Sequence, residues 1–122
     1  MTVLLVALGA AVGAPARYLT DLVVQSRNDS VLPWGTFVVN VVGSFVLGVV
    51  ASAVTLHDAP AWLMTLVGTG FCGALTTFST FGLETVRLVE EGWWAQAVLN
   101  VAGSLVVGLG ACASGWAIVA AF

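Results

Sequence analysis

Four mostly apolar stretches follow one another along the chain, at about residues 2–24, 34–56, 62–88 and 94–120. Each is long enough to cross a bilayer as a helix, because a spanning helix needs roughly 20 apolar residues. The connections are short, and the first stretch lacks the basic start of a cleavable signal peptide, so it is expected to be the first span. The pattern predicts an all-α, multi-pass protein of the cell (inner or plasma) membrane, with residues 1–122 forming a single domain.

Polar residues interrupt the third stretch. The segment Gly70–Phe81 reads Gly-Phe-Cys-Gly-Ala-Leu-Thr-Thr-Phe-Ser-Thr-Phe, and Gly68 and Gly73 add to its glycine content. Glycine allows backbone conformations that other residues disfavour, so we predict a break in the third helix. Backbone groups freed at membrane depth must be satisfied by protein, water or an ion. The segment therefore predicts a path for a polar solute, and carbonyls freed at Gly73–Thr76 are candidates for holding a cation.

Composition supports a membrane protein with few charges. Hydrophobic residues make up 60% of the chain and charged residues 7%, against about 25% in a soluble domain. The chain has three Arg and no Lys, so the charge bias that orients a membrane protein is weak and insertion in both directions is plausible. A four-helix chain of 12.5 kDa has little interior, so we expect an oligomer, with the lipid bilayer and no nucleic acid as further partners.

The deep polar side chains are amides and hydroxyls, and none of the six acidic residues lies at the middle of a span. A proton-coupled antiporter or a cation channel usually needs a carboxylate there, since ionisable groups in a bilayer are costly and kept for function. Hydrogen-bond donors with no acidic side chain among them favour an anion as the permeating ion, although the oxygens of the same amides and hydroxyls could equally face a cation. The deep polar residues are Asn40, Ser44, Thr76, Thr77, Ser79, Thr80, Asn100 and Ser104.

The chain also contains an internal repeat. A shift of 60 residues without gaps pairs two Trp, two Asn and two Arg, together with several Gly and Ser. The repeat predicts two helical hairpins that run in the same direction, unlike the inverted repeats of many transporters. The clearest pairs are Gly13/Gly73, Arg27/Arg87, Trp34/Trp94, Asn40/Asn100, Gly43/Gly103, Ser44/Ser104 and Gly48/Gly108.

Three kinds of side chain have two interpretations each. Asn40 and the small residues that follow it share one helix face, which suits either helix packing or, for Asn40, donation from its amide N–H groups. Arg17 either pairs with Asp21 four residues on or lines an electropositive vestibule. Phe78 and Phe81 either face lipid or present their positive ring edges to an anion.

Three motifs resemble the CrcB/Fluc family of fluoride channels. They are Gly-Ala-x-x-Arg-Tyr at 13–18, Gly-Thr-x-x-x-Asn-x-x-Gly-Ser-Phe at 35–45, and the 70–81 segment, which is the most specific of them. The resemblance covers essentially the whole chain. It implies a dual-topology antiparallel homodimer with two pores that let fluoride leave the cell passively and so protect it from fluoride toxicity.

The resemblance also implies roles for individual residues. Phe78 and Phe81 match the pore phenylalanines, and Asn40 matches the pore asparagine. Ser79 and Thr80 match hydroxyls beside the pore, and Thr77 and Ser104 are expected to line it as well. Arg17 matches a vestibule arginine. Backbone carbonyls of Gly73 and Thr76, from both subunits, match a structural sodium site at the dimer centre, which makes Na⁺ the expected cofactor.

The fourth span departs from the family pattern, because many members carry a pore-facing Tyr where this chain has Asn100. As the counterpart of Asn40, Asn100 is a candidate for a further donor. Two rivals differ in class: a small drug/proton antiporter, which needs a Glu deep in the first span that is absent here, and a structural protein or inactive partner of a heteromeric channel. No nucleophile–base or metal set indicates an enzyme.

Overall fold

The computed structural model describes residues 1–27 and 32–122, and every described regular element is helical. Helix α1 covers Thr2–Ser26, α2 covers Trp34–Leu56 and α6 covers Trp94–Ala120. The third span, Ala61–Glu90, is composite. Four helices are long and apolar enough to cross a membrane, which confirms the predicted all-α, four-span architecture. Part of the predicted first connection, including Asp29, lies outside the described residues.

The third span contains several helical pieces. A short α3 (Ala61–Leu63) leads into a π-helix over Met64–Cys72, which continues as α4 (Gly73–Leu75). Helix α5 then covers Ser79–Glu90. Thr76, between α4 and α5, has extended dihedral angles, φ −80° and ψ 161°. We expected the backbone to leave helical geometry from Gly73, but that residue is helical, with φ −63° and ψ −36°.

Close packing of glycines brings α1 onto the π-helical part of the third span. A Cβ atom on Gly9 would overlap the carbonyl oxygen of Leu66, and one on Gly70 would lie 2.8 Å from the carbonyl oxygen of Val6. Both glycines are buried. Only residues without a side chain permit this backbone approach, which is how membrane helices without a hydrophobic driving force gain packing energy.

Helices α2 and α6 pack by the same device. A Cβ on Gly48 would overlap the carbonyl oxygen of Cys112, and one on Gly115 would overlap that of Phe45. Ser52 is fully buried and donates to the carbonyl of Trp116 at 3.0 Å. The packing interpretation of the small-residue face therefore holds for Gly48. Gly43, on the same face, instead lies against Thr76, since a Cβ there would overlap the Thr76 Cγ2 methyl.

Candidate ion pathway

A cavity of about 380 Å³ lies where α2 and α6 meet the third span. No carboxylate, Lys, Arg or His is among the described residues that line it. Seven of the ten residues predicted for the pore, vestibule and sodium site lie at this cavity: Asn40, Gly73, Thr76, Thr77, Phe78, Phe81 and Ser104. Thr80 and Arg17 lie at a different cavity, and Ser79 lines neither.

The Asn40 side chain both donates to and accepts from the backbone of Thr77, which lies between α4 and α5. Its Nδ2 donates to the Thr77 carbonyl at 3.1 Å, and its Oδ1 accepts from the Thr77 backbone N–H at 2.8 Å. In an uninterrupted helix that N–H would donate to the Gly73 carbonyl. The Asn40 side chain, from the second span, thus takes the place of the Gly73 carbonyl as the acceptor for the Thr77 N–H. One of the two amide N–H groups is used in this way, which leaves one, rather than the two expected, for a solute.

The hydroxyls around the cavity differ in whether their protons are committed. Ser44 Oγ donates to the Asn40 carbonyl at 2.7 Å, and Thr76 Oγ1 donates to the Cys72 carbonyl at 2.8 Å. Ser104 Oγ is buried and has no hydrogen-bond partner within the described part of the chain. A buried hydroxyl without a partner costs about 1–3 kcal/mol. Ser104 therefore has an uncommitted O–H, whereas Ser44 and Thr76 do not.

Phe78 and Phe81 lie side by side at the cavity. Their ring centroids are 6.1 Å apart, and the ring planes are tilted by 47°. Phe78 is 84% exposed in the single chain, so its ring is not held in a core. Both rings line the cavity that contains Asn40, and the edge of a phenylalanine ring carries partial positive charge.

The carbonyls of Gly73, in α4, and of Thr76, which follows α4, lose their usual helical donors. The Gly73 carbonyl would accept from the Thr77 N–H, which bonds to Asn40 instead. The Thr76 carbonyl would accept from the Thr80 N–H, which bonds to Thr77 Oγ1 at 3.2 Å. Gly73 is exposed, and a Cβ added there would meet nothing within 4 Å. The carbonyl pair that the family resemblance assigns to sodium is therefore relieved of intrahelical bonding.

A second cavity, of about 220 Å³, is lined by three polar residues of the first span. Arg17, Tyr18 and Asp21 line it, together with Thr77 and Thr80. Asp21 Oδ1 is buried and has no hydrogen-bond partner among the described residues, so the Arg17–Asp21 pair is not made through that oxygen. Thr77 lines both cavities, so the Arg17 cavity lies next to the Asn40 cavity.

The family model described as "CrcB-like protein, Camphor Resistance (CrcB)" matches residues 4–116. The chain belongs to this CrcB family. It is 54% identical over 126 residues to "Fluoride-specific ion channel FluC 1" of Frankia casuarinae, with 99% of this chain and 98% of that protein covered. The protein with the same name in Streptomyces avermitilis is 52% identical over 94% of this chain and 93% of its own length.

A more distant relative, "Fluoride-specific ion channel FluC" of Shewanella frigidimarina, is 46% identical over 99 residues, covering 81% of this chain and 80% of that protein. These relatives are named as ion channels, in agreement with the expectation that this chain is not an enzyme. Membership of the CrcB family and the four spans together make the chain a multi-pass membrane protein.

Two contacts near the pathway were not anticipated from the sequence. The buried Thr36 hydroxyl of α2 donates to Glu84 Oε1, so this carboxylate of the third span has a partner from the second span. The mutual bonding of Asn40 and Thr77 was also missed. Its signal was present in the sequence, since a buried amide and freed backbone groups at the same depth each need partners. Asn100, the candidate further donor, faces Thr85 rather than the Asn40 cavity.

Proposed function

We propose that this chain forms a fluoride-selective channel that lets fluoride leave the cell passively and so protects it from fluoride toxicity. The observation that carries the proposal is the cavity with no charged side chain among its described lining residues, which include Asn40, Ser104, Phe78 and Phe81. The names of the relatives support fluoride as the permeant ion. A proton/drug antiporter is disfavoured because no carboxylate is among the described residues that line the cavity.

Fluoride is small and strongly hydrated, so a pore has to replace its water shell with fixed donors. Asn40 contributes its remaining N–H, and Ser104 contributes its uncommitted O–H. Phe78 and Phe81 contribute ring edges that attract an anion without a formal charge, so the ion is not held too tightly to leave. Thr77, together with Thr80 in the Arg17 cavity, extends the polar side of this path toward the first span, whereas Ser79 lines neither cavity.

We propose a vestibule role for Arg17. Its cavity adjoins the pore through Thr77, and a guanidinium there raises the local concentration of anions at the entrance. The uncommitted Asp21 oxygen partly offsets that positive charge. Arg17 therefore acts on the rate of entry rather than on the choice among anions.

We further propose that the working unit is an antiparallel homodimer with two pores. The exposed Phe78 ring and the open space beside Gly73 place part of the cavity at the surface of one chain, where a second copy completes it. The weak charge bias permits insertion in both directions. Four oxygens, from Gly73 and Thr76 of each subunit, would then hold Na⁺ and clamp the dimer, as carbonyls of unwound helices do elsewhere.

The test is a flux measurement with purified protein in liposomes loaded with fluoride or chloride, followed by ion-selective electrodes after a potassium ionophore is added. The expected result is fluoride efflux far faster than that of protein-free vesicles, with chloride efflux no faster than theirs. Chloride efflux as fast as fluoride efflux would overturn the assignment of fluoride. Absence of both would overturn the channel itself.

A further inference from the structure

We infer that Asn100 is a positioning residue for the Phe81 ring and acts through the Thr85 hydroxyl. Asn100 Nδ2 donates to Thr85 Oγ1 at 2.9 Å, and Thr85 Oγ1 donates to the Phe81 carbonyl at 2.8 Å. The three groups form one directed chain from α6 to the first turn of α5. The role rests on the proposed function, in which Phe81 lines the pore.

The direction of this chain is set by proton counting. A threonine hydroxyl has one proton, and because a carbonyl can only accept, that proton must be on the bond to the Phe81 carbonyl. Thr85 Oγ1 can then only accept from Asn100, so the asparagine must present its N–H₂ end to it. An aspartate at position 100 has nothing to donate, and it would draw the Thr85 proton away from Phe81.

The chain lies behind the pore rather than in it. Asn100 is 6% exposed and does not line the cavity that contains Asn40 and Phe81. The internal repeat made Asn100, as the counterpart of Asn40, a candidate donor in the pore, and the structure gives it a different partner. A buried amide bonded to one hydroxyl has a fixed direction, and that fixed direction is the property a positioning residue needs.

Helix α5 needs such a support because it does not continue α4. Residues 76–78 separate the two helices, and the N-cap residue, Phe78, makes no side-chain capping bond. The rotation of α5 about its own axis is therefore not set by helical continuity with α4. Thr80 N–H, bonded to Thr77 Oγ1, ties one side of the first turn, and the Asn100–Thr85 chain ties the side that carries Phe81.

The first experiment compares Thr85→Val, Asn100→Asp and the double variant in the liposome flux assay, with flux expressed per dimer. Each single variant is expected to lower fluoride flux by about tenfold, the effect of losing one buried hydrogen bond. The double variant should be no slower than the slower single variant, since both changes break one chain. Thr85→Ser should retain the wild-type rate, and Ser114→Ala, which removes a 2.7 Å bond within α6 alone, is the matched control.

The second experiment observes the ring directly and does not depend on conduction. 4-Fluorophenylalanine at position 81 gives a ¹⁹F resonance in detergent, and Thr85→Val and Asn100→Asp should shift or broaden it alike, while Ser114→Ala should not. An unchanged resonance together with wild-type flux would overturn the inference. Single-variant effects that multiply in the double variant would also overturn it. If the wild type conducts no fluoride but the resonance responds, the proposed function fails and the positioning contact stands.

Discussion

Replacing Asn40 by aspartate tests whether an anion passes beside this side chain. The substitution keeps the size of the residue but removes both N–H groups and adds a negative charge. A carboxylate at about 4 Å from a fluoride ion repels it by roughly 4 kcal/mol at an effective dielectric constant near 20. Since every 1.4 kcal/mol is a factor of ten, fluoride flux should fall by about 10³-fold.

The bond to Thr77 complicates the comparison, and a second variant separates the two effects. The Asn40→Asp substitution would place an oxygen against the Thr77 carbonyl, where Asn40 Nδ2 now donates at 3.1 Å. Asn40→Ala removes the same bonds without adding charge, at about 1 kcal/mol for each net hydrogen bond. Fluoride flux in Asn40→Ala should therefore fall by about 10- to 100-fold, less than in Asn40→Asp.

The assay is fluoride efflux from liposomes at equal amounts of dimer, checked by size-exclusion chromatography. Gln96→Glu is the matched control, because it makes the same amide-to-carboxylate change in the first turn of α6, away from both cavities. Wild-type flux is expected for it. If Asn40→Asp conducts as the wild type does, the ion does not pass Asn40. If Asn40→Ala and Asn40→Asp are equally slow, the Thr77 bond and not charge is what the pore needs.

Three further predictions concern the ring, the helix packing and the cation. Phe81→Ile keeps an apolar side chain but removes the ring edge, so fluoride flux should fall at least about tenfold by electrode while the dimer persists; unchanged flux would remove Phe81 from the pore. Gly9→Ala should destabilise the fold by about 1–3 kcal/mol in thermal melts, because the added Cβ overlaps the Leu66 carbonyl, whereas Gly110→Ala, which meets nothing within 4 Å, should not. Replacing Na⁺ by N-methylglucamine throughout should dissociate the dimer on size exclusion; a dimer equally stable in both cations would exclude sodium at Gly73 and Thr76.

The architecture was accessible from the sequence because hydrophobic length alone determines which segments cross a bilayer. Four spans were predicted, and the structure has four helices that meet the length and composition of a span. The π-helical stretch Met64–Cys72 was not predicted. It lies where Gly9 and Gly70 bring two backbones together, and that contact joins residues about 60 positions apart, which no local pattern reveals.

The candidate site could be predicted from the sequence only in part, for a related reason. Motifs identify which residue types gather at a pathway, and seven of the ten predicted site residues do line one cavity. Motifs do not say which donors are already used. Asn40 and Thr77 are 37 positions apart, and they are joined by two hydrogen bonds. One of these bonds uses one of the two N–H groups of the Asn40 amide. Proton accounting of this kind needs the three-dimensional arrangement, because a hydroxyl on a helix can bond to its own backbone, as Ser44 does, or remain free, as Ser104 does.

The two asparagines of the repeat show how far the hairpins have diverged. If the pairing of Asn40 with Thr77 were repeated, the partner of Asn100 would lie near Arg17 in the first span, since the repeat shifts positions by 60. Asn100 instead bonds to Thr85, so both asparagines support the third span and neither bonds to the first. Helix α1 is continuous over Thr2–Ser26, even through Pro15. Backbone groups freed by an interruption must find partners in the protein or in water, and the Asn40 amide bonds both the N–H and the carbonyl of Thr77, in the span where residues 76–78 leave the helix.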